Sequence, residues 1–410
     1  MWEDSCEEGK TLLNPASISK LSLAITDLFK DFPEELIPEV LIRLPIKSVP
    51  QPLFALTSPT LKFNTQNSTH LLLLHSVFSD DDCWFLRETP IQGFKEDLYS
   101  LHYENPAFGE YCKIEFPTGL KEILENPCFR VVGTCNGLVC LADDAVSYSY
   151  NFVIWNPSVR KYVTLPKPLI KLSTHGDYDA SIGLGYDAVT NDYKVVRLVT
   201  LFDEKDSFSG CPTIAQVYSL AKKCWGGLNS DLPPCQMHGC SSEAFVNGAL
   251  HWLAFRLTGG DYIYFVLTFD VSTESIREIL LLKNFILDPS LALRLSVSGD
   301  QKSIALFARC KSDTDCFLDI WVMQEYRVEN SWIKLMMLTP QGPERSLPMA
   351  LCFRKSGEMV LVLEDSCELV SADLQSKQFK SLGSSQGQLC SVDSYEESLV
   401  LLDWKDAASY

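Results

Sequence analysis

Asn151-Phe-Val-Ile-Trp-Asn-Pro-Ser-Val-Arg-Lys-Tyr-Val-Thr-Leu165 is the stretch whose reading decides the fold. Phe152 to Trp155 is a short β-branched and aromatic run. Asn156-Pro157-Ser158 is turn chemistry, because proline presets φ and the Asn and Ser side chains bond their own backbone. Tyr162 to Leu165 is a second strand, so the stretch reads as a β-hairpin. The phrase returns four times, at Val217-Tyr-Ser-Leu220, Thr268-Phe-Asp-Val271, Ile320-Trp-Val-Met323 and Val370 to Leu374. Aligned at Asn156, Ser219, Asp270, Val322 and Asp373, the copies are 63, 51, 52 and 51 residues apart by subtraction.

A period of roughly 50 residues made of short strands is that of kelch-like propeller blades. Further strands are expected at Leu71–Leu74, Cys83–Leu86 and Leu98–Leu101, at 131–141, and at Met359–Leu363. Five units leave a final strand pair near Ser391–Leu402 without a hairpin of its own. The orphan strands between Thr69 and Leu101 pair with it in a mixed closing blade, which makes six blades. Gly137, Gly183, Gly185 and Gly248 suit tight turns or close backbone approach. The expected fold is mainly β: a six-bladed, kelch-like β-propeller over residues 69–402, behind a short helical segment at 31–60 and a lead-in at 1–30.

The 410 residues are 46% hydrophobic and 21% charged, an ordinary globular composition. A net charge of −18 argues against a nucleic-acid backbone or an anionic membrane as the main partner, since both need a basic face. No apolar run approaches the roughly 18 residues that span a bilayer. With no export pattern at the start, the 15 cysteines read as reduced thiols, and the expected location is cytoplasm or nucleus.

At Phe32 the character changes to Phe-Pro-Glu-Glu-Leu-Ile-Pro-Glu-Val-Leu-Ile-Arg-Leu-Pro-Ile-Lys-Ser48. Ile37, Val40, Leu41 and Leu44 recur at spacings of three and four, giving a helix one apolar face, and Pro45 ends it. Glu34, Glu35 and Glu39 favour its positive end. This string resembles an F-box, through Pro33, Leu36, Ile37, Glu39, Val40, Leu41, Arg43, Leu44, Pro45, Ile46, Lys47 and Ser48. The next stretch, Val49-Pro-Gln-Pro-Leu-Phe-Ala-Leu-Thr-Ser-Pro59, departs from the family's second helix. Pro50 and Pro52 each cost a helix interior about 3 kcal/mol, and the tryptophan expected near Pro59 is absent.

Residues 130–402 resemble the F-box-associated region of plant F-box proteins, in order as well as content. The matching phrases are Cys-Asn-Gly-Leu at 135, Trp-Asn-Pro-Ser at 155, Gly-Leu-Gly-Tyr-Asp at 183, Asp-Tyr-Lys-Val-Val at 192, Gly-Ala-Leu-His-Trp at 248 and the stretch 319–334. The resemblance implies a substrate-recognition subunit of an SCF (Skp–cullin–F-box) ubiquitin ligase. Pro33, Leu36, Ile37, Val40, Leu41, Leu44 and Pro45 would bind the Skp adaptor, weakly because of the lost second helix, and cullin would follow through the adaptor. A protein target would sit on the propeller, chiefly at loops 202–212 and 226–243. The alternatives are a ligase-independent recognition propeller and a propeller enzyme.

Signals of chemistry are few. Gly183-Leu-Gly-Tyr-Asp-Ala188 has the spacing of a dinucleotide fingerprint, but a β run follows it rather than a helix, so no cofactor is expected. Cys235-Gln-Met-His-Gly-Cys240 has irregular spacing for zinc, and no metal is expected. Cys135 and Cys140 read as core thiols, and His251 as a hydrogen-bonded core imidazole rather than a catalytic base. Asp187, Asp270 and Asp319 read as caps at turns or strand ends.

Overall fold

The structure, a computed structural model, describes residues 70–410 apart from 80–93, 127, 145–149, 177, 202–211, 228–231, 233, 238–242, 260, 282–291, 312–315, 341–346, 364–365, 386–388 and 402–403. Three strands come first, β1 (His70–Ser79), β2 (Phe94–Tyr103) and β3 (Glu110–Ile114). The first complete blade is β4 (Arg130–Cys135), β5 (Leu138–Ala142), β6 (Phe152–Asn156) and β7 (Lys161–Thr164). The second is β8 (Tyr178–Asp187), β9 (Asp192–Leu201), β10 (Thr213–Ser219) and β11 (Cys224–Gly227). In the third, β12 (Gln236–Met237) and β13 (Ala244–Val246) both pair with β14 (Ala249–Thr258), and β15 (Asp261–Asp270) and β16 (Ser275–Leu280) complete it. The fourth is β17 (Ala292–Val297), β18 (Ile304–Lys311), β19 (Cys316–Met323) and β20 (Trp332–Leu338). The fifth is β21 (Met349–Phe353), β22 (Met359–Leu363), β23 (Glu368–Ala372) and β24 (Phe379–Ser384). The sixth joins β25 (Leu389–Glu396) to β1, β2 and β3, and β26 (Ala408–Ser409) adds to the outer edge of the first blade beside β7.

The ring closes through its inner strands, since β4 lies against β8, β8 against β13, β13 against β17, β17 against β21, β21 against β25, and β25 against β4. This is the expected six-bladed propeller. Its closing blade takes one C-terminal strand rather than the expected pair, and β3, unforeseen in the sequence, supplies its outer edge. Beyond residue 402, where the ring was expected to end, the chain continues to β26, and Tyr410 Oη accepts a hydrogen bond from Trp155 Nε1 at 2.9 Å. Cys83–Leu86, the segment 31–60 and the lead-in 1–30 lie outside the described residues.

Each blade buries both faces, one against each neighbour, and an apolar core fills every one of the six gaps. That is why β5 and β6 are buried at every position instead of alternating in and out. Trp155 lies in the gap between the sixth and first blades, and Trp252 in that between the second and third. Cys135 and Cys140 are buried in the gap between the first and second blades, and burial pushes the Cys135 thiol up to about 12 and raises that of Cys140.

The repeat seen in the sequence is a repeat of one hairpin. Asn156, Ser219 and Asp270 end the third strands of their blades, Val322 is next to the end of its strand, and Asp373 follows the end of β23. Asn156 pairs with Lys161, Ser219 with Cys224 and Asp270 with Ser275, so each loop holds four residues. In four copies the aligned side chain accepts a loop amide: Ser158 N to Asn156 Oδ1 at 3.0 Å, Lys222 N to Ser219 Oγ at 2.9 Å, Thr273 N to Asp270 Oδ1 at 3.0 Å and Gln375 N to Asp373 Oδ1 at 2.7 Å. The last loop residue turns left-handed, with φ of 51° at Arg160, 58° at Lys223, 53° at Glu274 and 57° at Lys377. The two Asn-Gly pairs, Asn136-Gly137 and Asn247-Gly248, both have positive φ, the backbone of a two-residue type I′ turn.

Candidate functional site

Strand direction sorts the connections onto two faces. The eleven tight connections, from the first to the second and from the third to the fourth strand of a blade, share one face. The other face carries the twelve connections from second to third strands and from one blade to the next. His70 pairs with Glu396, where the closing strand ends, so the chain before His70 joins the ring at the hairpin face. The expected loop 226–243 is not one loop, since 226–227 end β11 and 236–237 form β12, and most of the other residues of 202–212 and 226–243 lie outside the described ones.

At the centre of the ring two carboxylates stand among the inner strands. In the third blade the inner position is split between β12 and β13, and Glu243 immediately precedes β13. Its carboxyl reaches across β8 to β4: a Cβ on Gly183 would lie 3.2 Å from Glu243 Cγ, and one on Gly133 would collide with Oε1. Asp393 lies midway along β25. Both side chains are half-buried. Burial pushes Glu243 from the usual 4.5 up to about 8, against hydrogen bonds from backbone amides and the charge of Arg130. Burial also raises Asp393, against the opposing charge of Arg294 on β17.

Glu243 Oε2 and the hydroxyl of Ser181 on β8 have no hydrogen-bond partner among the described residues, while Ser391 on β25 faces Asp393. Arg130 does not neutralise Glu243 outright, because its guanidinium holds Asp144 in two bonds, Nε to Oδ1 at 3.0 Å and Nη2 to Oδ2 at 2.7 Å. The inner ring thus presents acceptors in excess of donors, in a setting where an unpaired buried polar group costs about 1–3 kcal/mol.

The other polar clusters serve the scaffold. Lys194 Nζ, on the second blade, lies 3.0 Å from Asp187 Oδ2 and reaches the third blade at Glu274 Oε1 at 2.9 Å and Val271 O at 2.8 Å. Burial would raise Asp187, but hydrogen bonds from Thr190, Ser272 and Lys194 together hold it well below the carboxylate range. Asp187 and Asp270 cap turns, as expected. Asp319 does not: it lies three residues before the aligned Val322, mid-strand in β19, and 2.6 Å from Lys334 across the sheet.

His251 is fully buried between Ala244 O, which accepts from Nδ1 at 2.9 Å, and Tyr326 Oη, which donates to Nε2 over 3.0 Å. Burial pushes it down to about 4, so at neutral pH it is an uncharged core imidazole. Gly183 to Asp187 lie within β8, and β9 follows; no helix is there to hold a pyrophosphate. Cys235 is buried against Thr213, with Sγ 3.6 Å from Oγ1, while His238 and Cys240 lie outside the described residues. Among the described residues no three His, Cys, Asp or Glu side chains form a metal-holding group, and no helix is long and apolar enough to cross a membrane. The seven expected adaptor contacts, from Pro33 to Pro45, also lie outside the described residues.

Sequence reasoning did not pick out Glu243, Asp393 or Arg294. They come from three blades and share no motif. The signal available was a charge inside an apolar run, since Asp393 interrupts Leu389-Cys-Ser-Val-Asp-Ser-Tyr395.

Residues 98–401 match the family described as F-box associated beta propeller domain. The F-box protein CPR1 of Arabidopsis thaliana is 26% identical over 370 residues, covering 85% of this chain and 84% of that protein. The F-box/kelch-repeat protein At3g23880 of the same plant is 24% identical over 324 residues, covering 75% and 79%. Among solved structures, apo AztD from Citrobacter koseri overlays with a TM-score of 0.39 and 12% identity, over 80% of this chain and 99% of that one, a likeness too loose to carry a conclusion.

Proposed function

The chain belongs to the F-box-associated β-propeller family, and from that premise we propose that it is the substrate-recognition subunit of an SCF-type ubiquitin ligase. The observation that supports this most is the division of labour between the faces. The described chain enters the ring at the hairpin face, at His70, so an F-box-like segment before it would hang from that face and leave the opposite face for a target. Pro33, Leu36, Ile37, Val40, Leu41, Leu44 and Pro45 form the adaptor contact, and cullin joins through the adaptor. The chain makes no covalent bond itself; it holds target lysines near a ubiquitin-charged enzyme, which is catalysis by proximity. No cofactor is needed for that role, and the setting is cytoplasm or nucleus.

Pro50 and Pro52 favour one competing reading, a recognition propeller that has lost its adaptor. Affinity purification of the full chain from plant cells separates the two. Recovery of a Skp adaptor and cullin, lost on Leu41→Asp with Leu44→Asp, supports the ligase reading; recovery of other proteins with neither subunit supports the competitor. Segment 226–243 cannot be exchanged whole without loss of the fold, since it holds the end of β11, all of β12 and the buried Cys235 and Met237. Replacing 202–211 alone by a short Gly-Ser turn is expected to weaken target capture while leaving the fold intact.

A further inference from the structure

Cys-Asn-Gly-Leu at 135 and Trp-Asn-Pro-Ser at 155, the two motifs of the first blade, meet one segment of chain, residues 397–410. This segment leaves the closing strand β25 and passes around the first blade. Over the hairpin face, Asn156 Nδ2 donates to Ser398 O at 3.1 Å, Ser398 Oγ at 3.1 Å and Val400 O at 2.8 Å. Beside it Gly137 leaves no room for a side chain, since a Cβ there would lie 2.5 Å from Glu396 O and 2.6 Å from Ser398 Cβ. Leu401 is buried in the gap between the first and second blades, and Val400, Trp404 and Ala407 pack against the same core. Asp406 pairs with Lys223 of the second blade, whose ammonium lies 5.8 Å from the centre of the Trp404 ring. β26 then runs along β7, with Ala408 opposite Tyr162 and Ser409 opposite Lys161. Tyr410 sits in the gap between the sixth and first blades, its ring 6.4 Å from that of Tyr162. Its hydroxyl takes the indole N–H of the fully buried Trp155, which has no other partner among the described residues.

Asn156 does two jobs that need an amide. Its Oδ1 accepts the Ser158 amide that closes the turn, and its Nδ2 holds the passing segment. Ser219, Asp270 and Asp373 cap their own turns at the aligned positions, but none has a side-chain N–H for the second job.

We infer that the first blade carries a seat for an extended segment, that the chain's own residues 397–410 fill it, and that the outer part, 404–410, is a detachable clasp. The seat selects carbonyls for Asn156, a leucine for the gap and a phenol for Trp155. The two parts of the segment are held differently. The inner part has the contacts to the buried Asn156 and the buried Leu401. The outer part has a two-residue strand, both residues exposed, and an ion pair whose partners are 54% and 58% exposed. Such exposed pairs contribute little, which leaves the phenol of Tyr410 and the half-buried Trp404 and Ala407 as its anchors. Its opening is therefore local and does not require the ring to unfold. Shut, the clasp links the second, first and sixth blades and covers the β7 edge. Open, it bares that edge to another strand and leaves the Trp155 indole without its acceptor.

The test is hydrogen exchange of the full-length chain, read by mass spectrometry segment by segment, with a synthetic peptide of residues 397–410 as the unprotected reference. Residues 404–410 should exchange more slowly than in the free peptide, yet about tenfold or more faster than β25. Tyr410→Phe should speed exchange of 404–410 about tenfold and leave β25 and the third blade unchanged. Asn156→Ser, which keeps a turn-capping hydroxyl as at Ser219, should also speed it while the turn between β6 and β7 stays protected. Should Asn156→Ser fail to fold, Tyr410→Phe, which removes a single oxygen, carries the test. Exchange of 404–410 at the rate of the free peptide would show an empty seat and overturn the inference. Exchange of 404–410 at the rate of β25 would make the segment a fixed part of the ring, and no response to Tyr410→Phe would remove the phenol as anchor; either overturns the clasp.

Discussion

Tyr395 offers a direct perturbation of ring closure. It lies on the C-terminal closing strand, is 1% exposed, and packs in the gap between the sixth and first blades with Leu71, Leu73 and Trp155. Its hydroxyl lies 2.7 Å from Ser158 Oγ, 237 residues earlier in the chain. Tyr395→Phe keeps the ring and loses the hydrogen bond, at a cost of about 0.5–1.5 kcal/mol. Tyr395→Ala also opens a cavity that strands of two blades cannot collapse around, and large aromatic truncations of this kind cost about 3–5 kcal/mol. Against a typical domain stability of about 5–15 kcal/mol, the alanine variant should unfold at a much lower urea midpoint, and the phenylalanine variant slightly below wild type. The slope of the transition should stay the same. If Tyr395→Ala left the midpoint unchanged, or lowered it no more than Tyr395→Phe, β25 would not be the element that closes the ring.

Three further perturbations probe the scaffold and the inner ring. Lys194→Met leaves Asp187 buried without its cation and should cost about 3–5 kcal/mol, with part recovered by adding Asp187→Asn; equal urea midpoints for wild type and the single variant would refute the clamp. Gly183→Ala puts a Cβ 2.7 Å from Cζ2 of the fully buried Trp252, so overpacking should cost about 1–3 kcal/mol, and an unchanged melting temperature would refute the close approach. Glu243 is raised in the fold, so between its unfolded value of 4.5 and about 8 the folded chain binds more protons and stability falls as pH rises. Glu243→Gln removes that dependence and should raise stability more at pH 8 than at pH 5; an equal change at both would show that Glu243 is not held protonated.

The sequence disclosed the array because propeller hairpins repeat their turn chemistry. The aligned Asn156, Ser219, Asp270 and Asp373 all accept loop amides, so a local rule was visible at a 50-residue period. Asn136-Gly137 and Asn247-Gly248 carried the same kind of signal. What stayed hidden depends on closure, which is not local. β26 is a two-residue exposed edge strand whose partner β7 is distant in sequence, and β3, although it pairs locally with β2, has no buried position to mark it. The single closing strand could not be told from a pair, because the apolar run Leu399-Val-Leu-Leu402 follows it as a second strand would. Asp319 looked like a blade-end cap, but it lies three residues before the aligned Val322 and so falls mid-strand. The charged residues of the inner ring were least legible, since Glu243, Asp393 and Arg294 come from three blades that are brought together only when the ring forms, and no spacing in the chain marks them.

Adaptor binding by the full chain is the measurement closest to the central claim. The face of Leu36, Ile37, Val40, Leu41 and Leu44 retains apolar side chains worth about 1.5–3 kcal/mol each when well buried, before association costs. The missing tryptophan and the prolines at 50 and 52 remove an anchor of about 2 kcal/mol or more, so affinity should fall roughly thirtyfold from that of an intact F-box. Calorimetry with a purified Skp adaptor should therefore give a dissociation constant in the micromolar range, abolished by Leu41→Asp with Leu44→Asp and tightened when a family-type helix is grafted after Ser48. No binding by the wild-type chain and none by the grafted one would contradict the receptor reading and leave the propeller as a recognition module outside the ligase.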